Sequence, residues 1–191
     1  MIGTLSDHTP ELLRTVKANY KTVLGFNEPD GNNITPQQAV DAWPDTVATG
    51  LRIGSPAPAA AQSPRPGTWS YDFMKGVNNR VDLIALYFYS ANTDWVVELE
   101  KYVTDVHKMY QKPIWITEFV MVNYSGSSYT TPDMQTEAQN VISACKMLNS
   151  LSFVERHAWF ALPQNNYQRN TYLFDNTSVI TVIGEAYRSV P

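Results

Sequence analysis

Two glutamates each follow directly on an apolar run, at the point where a strand would end. Glu28 comes after Val23-Leu24-Gly25-Phe26-Asn27, and Glu118 comes after Ile114-Trp115-Ile116-Thr117. A carboxylate in a buried run costs several kcal/mol unless it is paired or used, so each of these glutamates is informative. Cleavage of a glycosidic bond requires two carboxyl groups: one donates a proton to the leaving oxygen, and the other attacks the anomeric carbon or activates water.

The separation of such a pair decides the stereochemistry of the reaction. Carboxyl groups about 5–5.5 Å apart give retention of configuration, and groups about 6.5–9.5 Å apart give inversion. An alternative explains the same residues without catalysis: Glu28 caps a turn, and Glu118 pairs with a basic residue. Spacing along the chain does not decide between the two explanations.

Six short apolar or aromatic runs alternate with longer helical patterns, which predicts an α/β fold. The predicted strands are Met1–Leu5, Thr22–Phe26, Leu51–Gly54, Val81–Tyr87, Pro113–Phe119 and Arg156–Leu162. The predicted helices are Pro10–Ala18, Gln37–Thr49 with a kink or interruption at Pro44, Tyr71–Val77, the apolar stripe from Trp95 to Tyr110, a segment capped by Thr131-Pro132, and Thr181–Ser189. Strand starts recur about every 30 residues, the size of a βαβ unit. Both glutamates would then lie at the C-terminal ends of parallel strands, where α/β barrels carry their active sites.

The composition indicates one globular domain over residues 1–191 and argues against several classes of function. The formal net charge is −4 and no run of Lys or Arg occurs, so neither nucleic acid nor an anionic membrane is an expected partner. The three histidines lie on separate elements without ligand spacing, and we predict no metal and no cofactor. The single cysteine, Cys145, lies on a helical apolar stripe and is expected to be buried. Five Trp and eleven Tyr suit the binding of pyranose rings, although packing explains most single rings.

Blocks over nearly the whole chain resemble glycoside hydrolase family 128, the alkali-sensitive-linkage-type enzymes that act on β-1,3-glucans. The segment Leu24-Gly25-Phe26-Asn27-Glu28-Pro29-Asp30 looks like the acid/base signature of clan A glycosidases. Further similar blocks are Gly54-Ser55-Pro56-Ala57, Val81-Asp82-Leu83-Ile84-Ala85-Leu86, Lys112–Phe119, Phe153–Phe160 and Leu173-Phe174-Asp175. A lone Asn-Glu-Pro is a weak signal, whereas these blocks in this order are specific.

The resemblance implies a role for each of several site residues. Glu28 would be the general acid/base on barrel strand four, and Glu118 the nucleophile on strand seven. Asn27 would bond the 2-hydroxyl of the sugar that is cleaved, a contact that strengthens in an oxocarbenium-like transition state. Trp159 looks like the platform beneath that sugar.

One block departs from the family pattern. Such enzymes commonly read His-Trp-Tyr at the end of strand six, whereas this chain reads Tyr87-Phe88-Tyr89. Tyr87 and Tyr89 are predicted to contact substrate, but Tyr87 cannot act as a cation, which bears on substrate preference. Tyr124 and Trp69 are further candidates for sugar subsites.

The resemblance also implies a TIM-barrel-like (β/α) fold shortened to about six strands, without the first two βα units. If Thr22–Phe26 is strand four, then Met1–Leu5 can only be strand three, and a complete barrel takes about 250 residues. Open sheet edges expose backbone groups and apolar surface. We therefore expect a homodimer or remodelled termini to cover the gap; a truncated chain with impaired activity is the alternative.

The predicted function is that of a retaining glycoside hydrolase acting on β-glucan, specifically an endo-β-1,3-glucanase. Alternatives are a β-1,4-glucanase or mannanase on the same machinery, or a catalytically impaired carbohydrate-binding remnant. The resemblance suggests a secreted or cell-wall-associated protein, although no signal-peptide pattern is seen at the start of this sequence.

Overall fold

The computed structural model describes residues 1–59, 65–123, 130–164 and 170–190. The chain divides into two compact units. The first consists of Met1–Tyr87 and Asp105–Trp115, and the second of Phe88–Thr104 and Ile116–Pro191.

Helices and strands alternate along the chain. In order, the elements are α1 (Pro10–Asn19), β1 (Thr22–Leu24), α2 (Pro36–Ala48), β2 (Arg52–Gly54), α3 (Trp69–Gly76), β3 (Ile84–Ser90), α4 (Trp95–Tyr110), β4 (Ile114–Met121), α5 (Met134–Ser150), β5 (Val154–Trp159) and α6 (Val182–Ser189). Each of the six predicted helices is present. No described helix has the length and apolar character needed to cross a bilayer.

Neighbouring segments of the first unit pair in parallel. β1 and β2 form a parallel pair. Single parallel bridges join Ile2 to Phe26 on one side of this pair and Gly54 to Leu83 on the other. Parallel neighbours connected by helices are the βαβ arrangement, so the predicted α/β class is confirmed.

Aromatic packing of α2 against α3 forms part of the core of the first unit. Trp43 on α2 is buried and meets Phe73 of α3 edge-on, with ring centroids 5.0 Å apart. The Trp43 indole N–H donates to Arg80 O at 3.0 Å, so the one polar atom of this ring is satisfied. This contact fixes α2 and α3 against one another.

The second unit contains β5, α5, α6 and the greater part of β4. β3, β4 and β5 form one sheet in that order. α5 turns its buried stripe inward, and α5 and α6 pack on one another; the buried side chains of the stripe include Ala138, Val141, Cys145 and Leu148. The predicted burial of Cys145 is confirmed.

Threonine side chains begin four of the helices. Thr9, Thr35, Thr68 and Thr181 each accept a hydrogen bond from a backbone N–H of the first turn. Because Thr68 caps α3, that helix starts two residues before the predicted Tyr71. The cap of α5 is Asp133, which accepts from Gln135 N and Thr136 N, and the predicted Thr131-Pro132 cap is wrong.

Four other predicted elements differ from the structure. The strand predicted at Val81–Tyr87 lies three residues later, at Ile84–Ser90. Met1–Leu5 is reduced to one bridge at Ile2, because Thr4 N donates to the Asp7 carboxylate at 2.8 Å and the chain turns. The interruption expected at Pro44 is absent, and α2 continues through it. The last strand ends at Trp159, because Leu162 N donates to Thr171 Oγ1 at 3.2 Å instead of to a neighbouring strand.

Candidate active site

A hydrogen-bonded turn beyond β1 carries Asn27 and Glu28 in the first unit. Asn27 N donates to Ile2 O at 2.8 Å, and Glu28 N donates to Ala57 O at 2.9 Å. Asn32 closes the turn twice: its backbone N donates to Glu28 O at 2.9 Å, and its side-chain Nδ2 donates to Asn27 O at 2.9 Å. The backbone at both residues is therefore fixed by neighbours on either side.

Glu28 has a left-handed backbone conformation, with φ of 42°. A residue with a Cβ in this region costs about 1–3 kcal/mol and persists only where the surroundings hold it. The hydrogen bonds to Ala57 O and from Asn32 N provide that hold. Asp30 adds another, since its Oδ1 accepts from Ala59 N at 2.8 Å. Strain at a carboxylate in such a turn supports a functional role for Glu28.

Tyr87 lies beside Asn27 in the same unit. Its side chain is 2% exposed, and its hydroxyl donates to Asn27 Oδ1. The same hydroxyl lies 3.2 Å from Met1 Sδ. Of the predicted site residues in the first unit, the structure thus brings Asn27 and Tyr87 into direct contact, with Glu28 next in the chain.

Glu118 and Tyr89 form the corresponding pair in the second unit. Glu118 lies within β4, and the Tyr89 hydroxyl, from the end of β3, donates to Glu118 Oε2. Among the described residues Glu118 Oε1 has no hydrogen-bond partner. Phe160 meets the Tyr89 ring edge-on, with centroids 5.4 Å apart and an interplanar angle of 88°. Both polar side chains are half-buried, so one carboxylate oxygen is held and the other is available.

The predicted platform residue, Trp159, is packed among aromatic rings of the second unit. It is 6% exposed, and its indole N–H donates to Thr171 O at 3.1 Å. Its ring meets Phe119 edge-on at 5.4 Å and Trp95 at 6.4 Å. Its role as a platform stays a prediction.

The two remaining predicted sugar-binding residues differ in what the structure says of them. Trp69 is half-buried in the first unit, donates its indole N–H to Ile34 O at 2.8 Å and stacks on Phe73 at 5.4 Å. These contacts show that Trp69 supports the core of its unit. Tyr124 lies outside the described residues.

Sequence reasoning missed two side chains that shape these half-sites. Asn32 was not singled out, although Gly31-Asn32-Asn33 directly after the signature is a cluster of turn-forming residues. Phe160 ends one of the blocks that resemble the family, and its contact with Tyr89 depends on a tertiary arrangement that spacing does not reveal.

A second constellation, of Cys145, His157 and Asn149, has the residue types of a cysteine nucleophile with its base. Cys145 Sγ lies 3.9 Å from His157 Nδ1, and His157 Nε2 lies 2.9 Å from Asn149 Oδ1. Burial raises the pKa of the Cys145 thiol to about 12 and lowers the pKa of His157. A buried thiol with so high a pKa holds its proton at neutral pH, which excludes it as a nucleophile.

Glu137 is the other carboxyl with an unusual environment. It is fully buried, and burial raises its pKa to about 8, against a hydrogen bond from Asn140 Nδ2 at 3.3 Å. Its Oε1 has no partner among the described residues. Perturbed acids often mark active sites, but Glu137 stands on the first turn of α5, and the one hydrogen-bond partner of its carboxyl group among the described residues is Asn140. No described group of three His, Cys, Asp or Glu could hold a metal ion.

Comparison with known proteins gives a consistent result. Residues 3–187 match the family model described as glycosyl hydrolase catalytic core. The crystal structure of a GH128 subgroup I endo-β-1,3-glucanase from Amycolatopsis mediterranei with laminaripentaose matches with a TM-score of 0.92 and 37% identity, over 100% of this chain and 81% of that chain.

Two further proteins are more distant. Alkali-sensitive linkage protein 1 of Schizosaccharomyces pombe is 29% identical over an alignment of 183 positions, which covers 88% of this chain and 32% of that protein. This chain therefore spans about a third of the length of that curated relative. A GH128 subgroup VI exo-β-1,3-glucanase from Aureobasidium namibiae has a TM-score of 0.80 at 21% identity, over 98% of this chain and 75% of that chain, which is a likeness of fold alone.

Proposed function

Since this chain belongs to glycoside hydrolase family 128, we propose that it hydrolyses internal linkages of β-1,3-glucan. The observation that carries the proposal is its likeness, over 100% of its length, to an endo-β-1,3-glucanase in complex with laminaripentaose. Identity to that enzyme is 37%, whereas identity to the exo-acting relative is 21%. Endo action is therefore the favoured mode.

Glu118 is the nucleophile of the proposed double displacement. The Tyr89 hydroxyl holds Oε2, and Oε1 attacks the anomeric carbon as the bond to the leaving oxygen breaks. A covalent glycosyl ester forms, with inversion at the anomeric carbon. Attack by water on that ester inverts the carbon again, so the net outcome is retention.

Glu28 is the proposed general acid and base. It protonates the leaving oxygen in the first step and takes a proton from the attacking water in the second. A carboxyl separation of about 5–5.5 Å from Glu118 is expected for this mechanism. Support for two essential glutamates comes from the Amycolatopsis enzyme, which was crystallised with laminari-oligosaccharides as two variants that each replace a different glutamate by alanine.

Asn27 and the aromatic residues complete the proposed sugar site. Asn27 donates to the 2-hydroxyl of the sugar being cleaved, where a hydrogen bond gains strength as the ring approaches an oxocarbenium ion. Trp159 and Tyr124 remain proposals as sugar contacts. Trp69 is the weakest of these proposals, because its ring and its indole N–H are engaged within the core.

The fold that we propose for this activity is a TIM-barrel-like one, to which the chain contributes about six strands. It is supported by the parallel pairing in the first unit and by the TM-score of 0.92 over 81% of a related chain. The family model runs through both units from residue 3 to residue 187, which favours one catalytic domain. A dimer covering an open edge, and a secreted or cell-wall location, stay predictions; a solution mass of one chain would contradict the dimer.

A linkage panel tests the proposal. The protein is incubated with laminarin, cello-oligosaccharides and manno-oligosaccharides, and new reducing ends are counted; we expect release from laminarin. Release of reducing ends only from the cello- or manno-oligosaccharides would contradict the proposed β-1,3 specificity. Tight binding of laminarin without release of reducing ends would favour the alternative function, a catalytically impaired carbohydrate-binding remnant.

Azide distinguishes the two carboxyl groups. With an aryl β-laminaribioside, azide is expected to restore turnover of Glu118→Ala and to give the α-glycosyl azide, because azide then occupies the place of the nucleophile. With Glu28→Ala the product is expected to be the β-glycosyl azide, because azide replaces water on the glycosyl ester. Glu11→Ala, which removes an exposed carboxyl of α1, is the control and should behave as the unmodified protein. The same azide anomer from both variants would contradict the assignment.

A further inference from the structure

Tyr87 has little surface with which to touch a sugar. It is 2% exposed, although it belongs to the Tyr87-Phe88-Tyr89 segment, for which sugar contacts were predicted. Its hydroxyl is directed at the Asn27 side-chain oxygen. The Tyr87 hydroxyl therefore reaches another residue of the candidate site, Asn27.

The contact fixes which end of the Asn27 amide faces outward. An amide side chain has an oxygen that accepts and an NH₂ that donates. With Oδ1 engaged by the Tyr87 O–H, Nδ2 points the other way, and no described residue accepts a hydrogen bond from it. Asn27 thus presents a donor, and the residue is half-buried, not enclosed in the core.

We propose that Tyr87 is a positioning residue for the reaction: it holds Asn27 so that the amide N–H groups face the sugar hydroxyl next to the anomeric carbon. The inference rests on the proposed function and refines the predicted role of Tyr87 as a substrate contact. A donor held in place stabilises charge that develops on the ring only in the transition state, so its loss lowers kcat more than it raises KM.

A structural role for Tyr87 makes a different prediction. The ring is buried, and its packing could simply support the turn. Tyr87→Phe keeps the ring and removes only the hydroxyl. If packing were the whole role, the variant would retain full sensitivity to the sugar hydroxyl that Asn27 recognises.

Two substrates separate these roles. One is an aryl β-laminaribioside, and the other lacks the 2-hydroxyl on the sugar that carries the aryl group. The measured quantity is the ratio of kcat/KM for the two substrates. Intrinsic reactivity differs between the substrates but is the same for every variant, and the ratio does not depend on the fraction of folded enzyme.

In Tyr87→Phe we expect this ratio to move toward the deoxy substrate by about tenfold, the factor that corresponds to one hydrogen bond. Tyr89→Phe is the matched control, since it removes the other site hydroxyl, which bonds Glu118 and not Asn27. It should slow both substrates and leave the ratio unchanged. In an Asn27→Ala background, Tyr87→Phe should add no further change to the ratio.

The outcomes are distinct. A wild-type ratio in Tyr87→Phe, or an equal shift in Tyr89→Phe, overturns the positioning role while leaving the glucanase intact. Failure of the unmodified protein to hydrolyse either substrate, or laminarin, overturns the proposed function together with this inference. Thermal unfolding of Tyr87→Phe within a few degrees of wild type is expected alongside the shifted ratio, since the ring and its packing are kept.

Discussion

Glu28 lies in a turn beyond the end of β1 with a left-handed backbone, whereas Glu118 lies within β4 on a regular extended backbone. The first is held by hydrogen bonds to its main chain, from Asn32 N and to Ala57 O. The second is held through its side chain, by the Tyr89 hydroxyl. In a strand, side chains alternate between the two faces, so Glu118 lies on the same face as Ile116. A turn has no such periodicity, so the position of Glu28 depends on its individual hydrogen bonds.

This difference fits the two proposed roles. A nucleophile must keep one oxygen at a fixed distance from the anomeric carbon, and a strand with one side-chain partner provides that. A general acid and base must serve a leaving oxygen and then a water, and the hydrogen bonds named above hold Glu28 through its backbone. The strain at Glu28 is the conformational consequence of placing a carboxyl where no regular strand would put it.

The largest expected effect is at the residue on the regular strand. Glu118→Ala should lower kcat on laminarin on the order of 10⁶-fold, the size seen when a hydrolase loses its covalent nucleophile. The loss should be similar for substrates with good and poor leaving groups, because no ester can form. Initial rates at saturating substrate measure it, and near-normal activity would contradict the role of Glu118.

Glu28→Ala should lower kcat by a smaller factor than Glu118→Ala, and that factor should depend on the leaving group of the substrate. Loss of general acid catalysis is expected to lower kcat by about 10²–10⁴-fold on laminari-oligosaccharides. An activated aryl laminarioside needs little protonation, so formation of the ester from it should be slowed far less. Equal losses with both substrates would remove the distinction between the two glutamates.

Glu137 tests whether a third carboxyl group belongs to the site. Its folded pKa of about 8 lies above the ordinary 4.5, so between these values the folded protein binds a proton that the unfolded chain releases. The free energy of unfolding should therefore fall as pH rises from about 4.5 to 8 and then level off, by on the order of a few kcal/mol. Glu137→Gln should lose this slope in urea unfolding measured across that range. Its kcat/KM on laminarin should stay within twofold of wild type, and a larger loss would add Glu137 to the site.

The smallest expected effect is on stability: the difference in free energy of unfolding between a Gly and an Ala variant should have opposite signs at Glu28 and Glu118. At Glu28, Gly should be more stable than Ala by about 1 kcal/mol, because a Cβ is disfavoured in the left-handed region. At Glu118, Gly should be less stable than Ala by about 0.5–1 kcal/mol, as in any strand interior. Chemical unfolding of the four variants measures both differences. The same sign at both positions would contradict the contrast in backbone geometry.

The sequence was sufficient for the class of fold, the six helices and the family, because each rests on repeated local signals. Apolar stripes and Thr-Pro starts are visible without tertiary information, and the confirmed family membership follows from several blocks in order. The end of the first predicted strand was not visible, because the turn that replaces it depends on the Asp7 side chain reaching Thr4 N.

The candidate site was predictable in residue type and less so in arrangement. Alternation and spacing carry no information on backbone dihedrals, and the general preference of a residue before proline for extended backbone points away from the φ of Glu28. The proposed role of Tyr87 depends on its burial. The sequence of an apolar strand does not show which of its residues are buried and which are half-buried. Which tyrosine meets Asn27 and which meets Glu118 became visible only with side-chain contacts.

The buried thiol of Cys145 makes local opening of the second unit measurable as a rate of chemical labelling. Because it is the only cysteine of the chain and its pKa is about 12, a thiol-reactive dye can label the protein only when α5 lifts from its neighbours. The labelling rate therefore counts openings of that unit directly, with no engineered probe. Slower labelling in the presence of laminari-oligosaccharide would report how strongly bound sugar restrains the part of the molecule that carries Glu118.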